Sequence, residues 1–241
     1  MIIVLCDETD ASALWATAAL QQRGLSPMVL TDSTLAAMRG WRHTIGADGA
    51  RISLQLPDGR TLEGGDMSGV LNRLTFLPRA WTRAVSGSDR DYALQEMLAF
   101  YVSWLHVLRA PKLNPPTPQG LCGNMRHASA WAALAIRAGL PVLPYRQSCG
   151  DDPAAAWRGS ALAGIQTVFV VANEVVGPAE IVELHQESCL RLAETAGSPL
   201  LGIDFARDPD DGWRMTTASV VPNLTSGGEA LADALAAALV R

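Results

Sequence analysis

The chain has 241 residues, of which 49% are hydrophobic and 18% are charged. This composition is typical of a globular protein with a substantial core and excludes an intrinsically disordered chain. The net charge of −5 and the single lysine, Lys112, argue against a nucleic-acid-binding protein, which needs clustered cations to neutralise phosphates. The N-terminal sequence MIIVLCDETD lacks the pattern of a signal peptide, and we expect a cytoplasmic protein without a membrane segment.

The first part of the chain alternates strand and helix patterns. In chain order it predicts a strand at residues 1–6, a helix ending at Leu20, a strand at 25–30 and a short helix at 32–38. Asp32 and Ser33 are the predicted caps of the short helix. Between residues 50 and 74, apolar alternation predicts two strands and then a buried third. The opening is therefore βαβα, followed by strands.

A long apolar helix is predicted over residues 91–109. From Met97 to Leu108 only Ser103 and His106 are polar, so almost the whole circumference is apolar. Such a helix must be covered on more than one side. It is predicted to be either a central core helix or a core helix that also forms part of a homodimer interface.

The second half of the chain mixes helices and strands. Residues 111–118 contain four prolines and predict a linker or a rigid loop. The elements predicted after it are a helix at 124–139, a strand at 140–145, a nonperiodic stretch at 148–164, a strand or hairpin at 167–176, a helix at 178–196, strands at 200–206 and 213–221, and a helix at 227–240. This half is predicted to be α+β.

Several short segments occur in an order that resembles a known family. They include Val70-Leu71-Asn72-Arg73, Leu113-Asn114-Pro115-Pro116, the segment Ala135 to Val142, the valine-rich Val170 to Val175, and Gly202-Ile203-Asp204-Phe205. In this order they resemble the ATP-grasp ligases that modify ribosomal peptides, of the microviridin or graspetide type. The resemblance implies an α/β fold with an ATP-grasp-like N-terminal βαβ lobe, residues 1–112, and an α+β C-terminal lobe like the ATP-grasp core, residues 113–241.

The departures from this family concern the residues that bind ATP. The resemblance implies two lysines from a central subdomain, an arginine before the valine-rich hairpin, and a magnesium site of aspartate, glutamate and asparagine. Asp204 matches the aspartate, whereas the arginine, glutamate and asparagine positions fall at Thr167, Thr217 and Ser219. Lys112 is the one lysine and lies outside the region in question. Residues 149–164 stand where the family inserts the lysine-bearing subdomain, so we expect that subdomain to be largely missing.

A triphosphate needs magnesium held by oxygen ligands and fixed cations to stabilise its transfer. We therefore expect no ATP-dependent ligase activity, no cofactor and no metal site. Asp204 is then interpreted as a residue that satisfies neighbouring groups locally. The alternative, that Asp204 still belongs to a working site, is less consistent with the missing partners.

Candidate ligand contacts are arginine, histidine and tryptophan residues in apolar segments, since arginine and tryptophan are favoured at recognition surfaces. They are Arg73, Trp104, Arg109, Arg126, His127 and Trp131. A packing interpretation stands beside this one: the two tryptophans are core residues, and Arg73 forms a structural ion pair with Glu96.

Catalytic candidates are few. The four cysteines form no CxxC pair and predict neither a disulfide framework nor a zinc site. Cys122 and His127 lie near the start of a predicted helix, whose dipole could lower a thiol pKa, and His106 is a further acid or base candidate.

The leading functional hypothesis is a noncatalytic, homodimeric protein that binds a peptide or a peptide-derived small molecule, or that partners a biosynthetic enzyme, in a ribosomal-peptide pathway. A second hypothesis is an ATP-independent cyclase or hydrolase that uses Cys122, His127 or His106. A third is a self-protection protein that sequesters a toxic product. The pathway itself is implied by the resemblance alone.

Overall fold

The computed structural model describes residues 1–78, 80–81, 85–145, 164–208 and 212–240. It divides into two compact units, the first formed by Met1–Met125 with Asn223–Arg241 and the second by Arg126–Pro222. This division differs from the sequence-based boundary between residues 112 and 113, because the closing helix packs back on the first unit. No helix in the described residues is long and apolar enough to cross a membrane.

The first unit contains a parallel sheet. Its elements are β1 (Ile2–Cys6), α1 (Ala11–Gln22), β2 (Pro27–Thr31), α2 (Asp32–Ala36), β3 (Gly40–Gly46), β4 (Gly49–Gln55), β5 (Thr61–Glu63), β6 (Gly69–Asn72), α3 (Arg90–Val107), β7 (Lys112–Leu113) and, at the C-terminus, α6 (Gly228–Val240). The sheet order is β2-β1-β6-β7, with every neighbouring pair parallel. All five residues of β1 are buried, which explains its continuous apolar run.

The opening βαβα pattern is confirmed, with two local corrections. Thr31, not Asp32 or Ser33, caps α2, since its hydroxyl accepts from the Thr34 amide. The proline-rich segment also contributes β7, because Lys112 and Leu113 pair with Val70 and Leu71 of β6. A pairing of two residues is too short to leave a period in the sequence.

A three-stranded antiparallel sheet, β3-β4-β5, packs on α3 in the same unit. The strands around the Pro57 turn were predicted, but β3 was not, because its residues are mostly half-buried or exposed. On α3, Tyr101, Trp104 and Leu105 are buried, whereas Met97 and Phe100 are half-buried. The core assignment of α3 is therefore confirmed for one face, and its part in a homodimer interface stays a prediction.

The second unit is an antiparallel sheet with two helices. Its elements are α4 (Ala128–Ala138), β8 (Gln166–Val171), β9 (Glu174–Val176), α5 (Ala179–Ala196), β10 (Leu200–Asp208) and β11 (Gly212–Ser219). The sheet order is β11-β10-β8-β9. The predicted hairpin, the helices and the strands at 200–206 and 213–221 are confirmed, and the buried face of the sheet packs with α4 and α5 in one apolar core.

Two predicted boundaries differ in this unit. Helix α4 begins at Ala128, not at residue 124, because the His127 side chain caps it by accepting from the Ser129 amide. Gly139 ends the helix in the left-handed conformation with φ of 83°. The predicted strand at 140–145 is reduced to an isolated bridge between Val142 and Met215. The nonperiodic stretch at 148–163 lies outside the described residues.

Candidate functional site

The positions that the sequence aligns with a magnesium site lie together on the sheet of the second unit. Asp204 on β10 is opposite Thr167 on β8 and opposite Thr217 on β11, so the three residues form one row across the sheet. All three are half-buried. The Thr167 hydroxyl donates a hydrogen bond of 2.7 Å to Asp204 Oδ1. The row therefore contains one carboxylate between two hydroxyl groups.

This row does not fit a magnesium ion bound with a nucleotide. Magnesium demands near-octahedral oxygen coordination and is bound through carboxylates, and here a single carboxylate is already engaged by a hydroxyl group. The fourth position, Ser219, lies two register positions further along, opposite Gly202, and its Oγ accepts from the Val221 amide at 3.1 Å. Among the described residues, no group of three or more histidine, cysteine, aspartate or glutamate side chains is arranged to hold a metal ion.

The one lysine is engaged by its own loop in the first unit. Lys112 Nζ donates to the carbonyl oxygens of Leu108 at 2.6 Å and Ala110 at 2.9 Å. Partial burial lowers the pKa of Lys112 from its ordinary value. Its ammonium group therefore stabilises the turn between α3 and β7.

Arg73, a predicted ligand contact, lies at the end of β6 with 4% of its side chain exposed. Its Nε donates to Asp10 Oδ2 at 2.8 Å and its Nη2 to Asp10 Oδ1 at 3.2 Å. Asp10 also caps α1 by accepting from the Ala13 amide. The ion pair that was predicted with Glu96 is thus made with Asp10, because β1 and β6 are neighbouring parallel strands. Glu96 lies exposed on α3.

Further polar groups surround this ion pair at the carboxyl edge of the parallel sheet. The Thr75 hydroxyl donates to Asp7 Oδ2 at 2.9 Å, and burial raises the pKa of Asp7. Asn72, which is 1% exposed, donates to the carbonyl oxygens of Asn114 and Leu121 and accepts from the Tyr101 hydroxyl. Sequence patterns did not predict these hydrogen bonds. Their signal was the pair of polar segments that directly follow β1 and β6, since parallel strands bring such segments to one edge.

The two candidate tryptophans lie in the cores of their units. Trp104 is fully buried and Trp131 is 2% exposed, as the packing interpretation expects. Arg126 is half-buried, its guanidinium carbon is 5.7 Å from the Trp131 ring centre, and its Nη2 donates to the Ala196 carbonyl. His127 is exposed and caps α4. A ligand contact through any of these four residues stays a prediction.

Cys122 has an environment unsuited to a nucleophile. It is fully buried, and burial raises the pKa of its thiol to about 11. The expected lowering by a helix N-terminus is therefore wrong, because α4 begins six residues further on. His127 and His106 are both exposed, unlike the buried Cys122. These features disfavour the Cys–His hypothesis.

Arg109 is the predicted ligand contact that lines an open cleft. The cleft has a volume of about 470 Å³ and lies in the first unit between the β4-β5 hairpin and the end of α3. Arg51, Glu63 and the backbone of Gly64 and Gly65 also line it. Both arginines are exposed, so the cleft offers cationic and hydrogen-bonding groups to a polar chain.

The fold is that of the ATP-grasp peptide ligases. No model of a known protein family matches the chain, and no curated protein matches it in sequence. Solved structures match over the whole chain. The macrocyclase MdnC of Microcystis aeruginosa MRC, bound with its precursor peptide MdnA, has a TM-score of 0.73 at 13% identity, with 100% of both chains covered.

Two further ligases have the same fold. A RiPP-associated ATP-grasp ligase of Chryseobacterium gregarium, in complex with ADP and a leader and core peptide, has a TM-score of 0.65 at 10% identity, covering 99% of this chain and 96% of that one. The ATP-grasp ligase PsnB, complexed with a minimal precursor, magnesium and ADP, has a TM-score of 0.60 at 20% identity, covering 100% and 98%. The predicted ATP-grasp-like α/β fold is thereby confirmed.

Proposed function

We propose that this chain is a noncatalytic ATP-grasp-like protein that binds a peptide or a peptide-derived product, or partners an enzyme, in a ribosomal-peptide pathway. Support for the peptide comes from the structural relatives, which are complexed with precursor, leader or core peptides. A fold can keep a binding surface after the catalytic residues are lost, since sites and not scaffolds carry chemistry.

The observation that carries the proposal is the Thr167–Asp204–Thr217 row. Phosphoryl transfer from a nucleotide depends on positioned metal ions and cations. The row holds one carboxylate, which a hydroxyl group already engages, and the one lysine bonds its own loop. Among the residues that the structure describes, this row therefore offers a single carboxylate for a metal ion, while the buried apolar residues maintain the fold.

The cleft at Arg109 is a candidate contact for the peptide. Its two arginines and one glutamate provide charged groups beside Gly64 and Gly65. Peptide recognition commonly combines main-chain hydrogen bonds with a few specific side-chain contacts. Arg109→Ala is expected to weaken peptide binding, because it removes a charged group that lines the cleft. Since Arg109 is exposed, its loss should not disturb the core.

Calorimetry with synthetic peptides encoded beside the gene of this chain tests the proposal. We expect micromolar binding of one such peptide, with no dependence on magnesium or ATP. Arg109→Ala should weaken it several-fold, whereas Arg137→Ala, an exposed arginine on α4 of the other unit, should leave it unchanged. Absence of heat with every peptide, from protein shown by circular dichroism to be folded, would contradict peptide binding.

A further inference from the structure

A second open cleft, in the first unit, has walls of a different chemistry. It has a volume of about 440 Å³ and is lined by Leu35, Met38, Trp41, Trp81, Glu96, Met97 and Phe100. We name it the aromatic cleft. It shares no lining residue with the Arg109 cleft, and the sequence predicted no role for Trp41 or Trp81. Its ring cluster nevertheless offers a built binding surface.

Contacts between rings hold this surface in place. The Trp41 ring centre on β3 lies 5.5 Å from that of Trp81 and 5.6 Å from that of Phe100. Behind it, the fully buried Trp104 packs edge-on at 5.6 Å. Such edge-to-face pairs stabilise each other beyond their buried area. The rings are thus ordered by the core although Trp41, Trp81 and Phe100 are each half-exposed.

The electrostatic character of the cleft favours a cation. Ring faces carry negative charge density and attract ammonium and guanidinium groups. Glu96 is the ionisable residue among those that line the cleft, and it lies one helical turn before Phe100 on α3. Within the described part of the chain, Glu96 forms no ion pair. A cation in the cleft would therefore meet aromatic faces and a free carboxylate together.

We propose that the aromatic cleft binds an arginine side chain of a peptide together with an apolar residue next to it. A planar guanidinium is weakly hydrated, stacks on aromatic rings and donates two parallel hydrogen bonds to a carboxylate, which a lysine ammonium cannot do. The apolar wall formed by Leu35, Met38 and Met97 suits the adjoining residue. This inference rests on the proposed function, since it names the chemical class of the peptide.

The test compares two synthetic tripeptides, acetyl-Leu-Arg-Phe-amide and the same peptide with neutral citrulline in place of arginine. Binding to the full chain is followed by calorimetry. The arginine peptide should bind roughly tenfold more tightly, the combined effect of a cation–π contact and a partly exposed ion pair. Glu96→Gln should remove most of that preference, and Glu180→Gln, an exposed glutamate on α5, should leave it intact.

Trp81→Leu should weaken both tripeptides, and its melting temperature shows whether the variant is folded. Equal binding of the two tripeptides to the wild type, or an unchanged preference in Glu96→Gln, would overturn the assignment. Sedimentation could also show that the wild type is a dimer and that Trp81→Leu is a monomer. The cleft would then bind a second copy of the chain, and the assignment to an arginine peptide would be overturned. If the longer encoded peptides fail to bind while the chain still prefers the arginine tripeptide, the proposed function is refuted but the assignment of the aromatic cleft stands.

Discussion

The sheets of the two units differ in where they keep polar groups. At the carboxyl edge of the parallel sheet, Arg73 pairs with Asp10, and the buried Asn72 bonds the carbonyl oxygens of Asn114 and Leu121. In the antiparallel sheet, the Thr167–Asp204–Thr217 row has one charge, bonded to a neighbouring hydroxyl group. The polar groups of the parallel sheet thus stabilise the fold from buried positions, whereas the antiparallel row carries a single carboxylate; under the proposed function, that row no longer serves ligase chemistry.

The sharpest way to test this contrast is to remove the buried amide. Asn72→Leu keeps a similar volume but removes three buried hydrogen bonds, those to the carbonyl oxygens of Asn114 and Leu121 and that from the Tyr101 hydroxyl. Removing one partner of a buried hydrogen bond costs about 1–3 kcal/mol, so the free energy of unfolding should fall by about 4 kcal/mol. Urea unfolding measures it. Gln186→Leu, at an exposed site on α5, should change the free energy by less than about 0.5 kcal/mol.

The next largest effect is expected at the buried ion pair. Arg73→Met leaves the Asp10 carboxylate, which has 14% of its side chain exposed, without its cation. The free energy of unfolding should fall by about 3 kcal/mol. The exposed pair of Arg60 with Asp58 is the matched control, and Arg60→Met should cost less than about 1 kcal/mol. Equal losses in the two variants would refute a structural role for Arg73.

A smaller effect is expected in the antiparallel sheet. Asp204→Asn keeps an oxygen that accepts from the Thr167 hydroxyl, so the free energy of unfolding should change by less than about 1 kcal/mol. Peptide affinity should be unchanged. Loss of peptide binding in folded Asp204→Asn protein would show that the row still belongs to a working site, and the contrast between the two sheets would fail.

The smallest effect concerns pH. The His185 ring on α5 stacks on Phe205 at 5.6 Å, and burial lowers the pKa of His185 below its ordinary value of 6.5. Because the unfolded chain takes up the proton more readily, this stabilising contribution is present above pH 6.5 and is lost as the pH falls toward the lower folded pKa. Between pH 7.5 and 5, the melting temperature of His185→Phe should fall less than that of the wild type, by on the order of 1 °C. Equal falls in the two proteins would show that His185 does not cause the pH dependence.

Sequence periodicity predicted most elements of both units, because buried faces leave a period in the order of apolar residues. It failed at β3, where every residue is half-buried or exposed, and at β7, where a pairing of two residues leaves no period. Ion pairs between residues far apart in the sequence were harder to predict. Asp10 and Arg73 are separated by 63 positions, and nothing in the local sequence distinguishes Asp10 from Glu96 as the partner.

The candidate site was predictable in part. The family resemblance implies that Thr167, Thr217 and Ser219 stand at ATP-site positions, but the single row containing Thr167, Asp204 and Thr217 depends on strand register. The aromatic cleft was not predicted. Its rings come from β3, from Trp81 and from α3, segments brought together only by tertiary packing.

Calorimetry with ATP and magnesium, on the purified chain alone and then with its peptide, tests the central claim most directly. Under the proposed function we expect no heat from ATP in either titration while the peptide binds, because the Thr167–Asp204–Thr217 row offers a single carboxylate for a metal ion and Lys112 bonds its own loop. Micromolar ATP binding that requires magnesium would contradict the noncatalytic proposal and would favour an active ATP-dependent ligase.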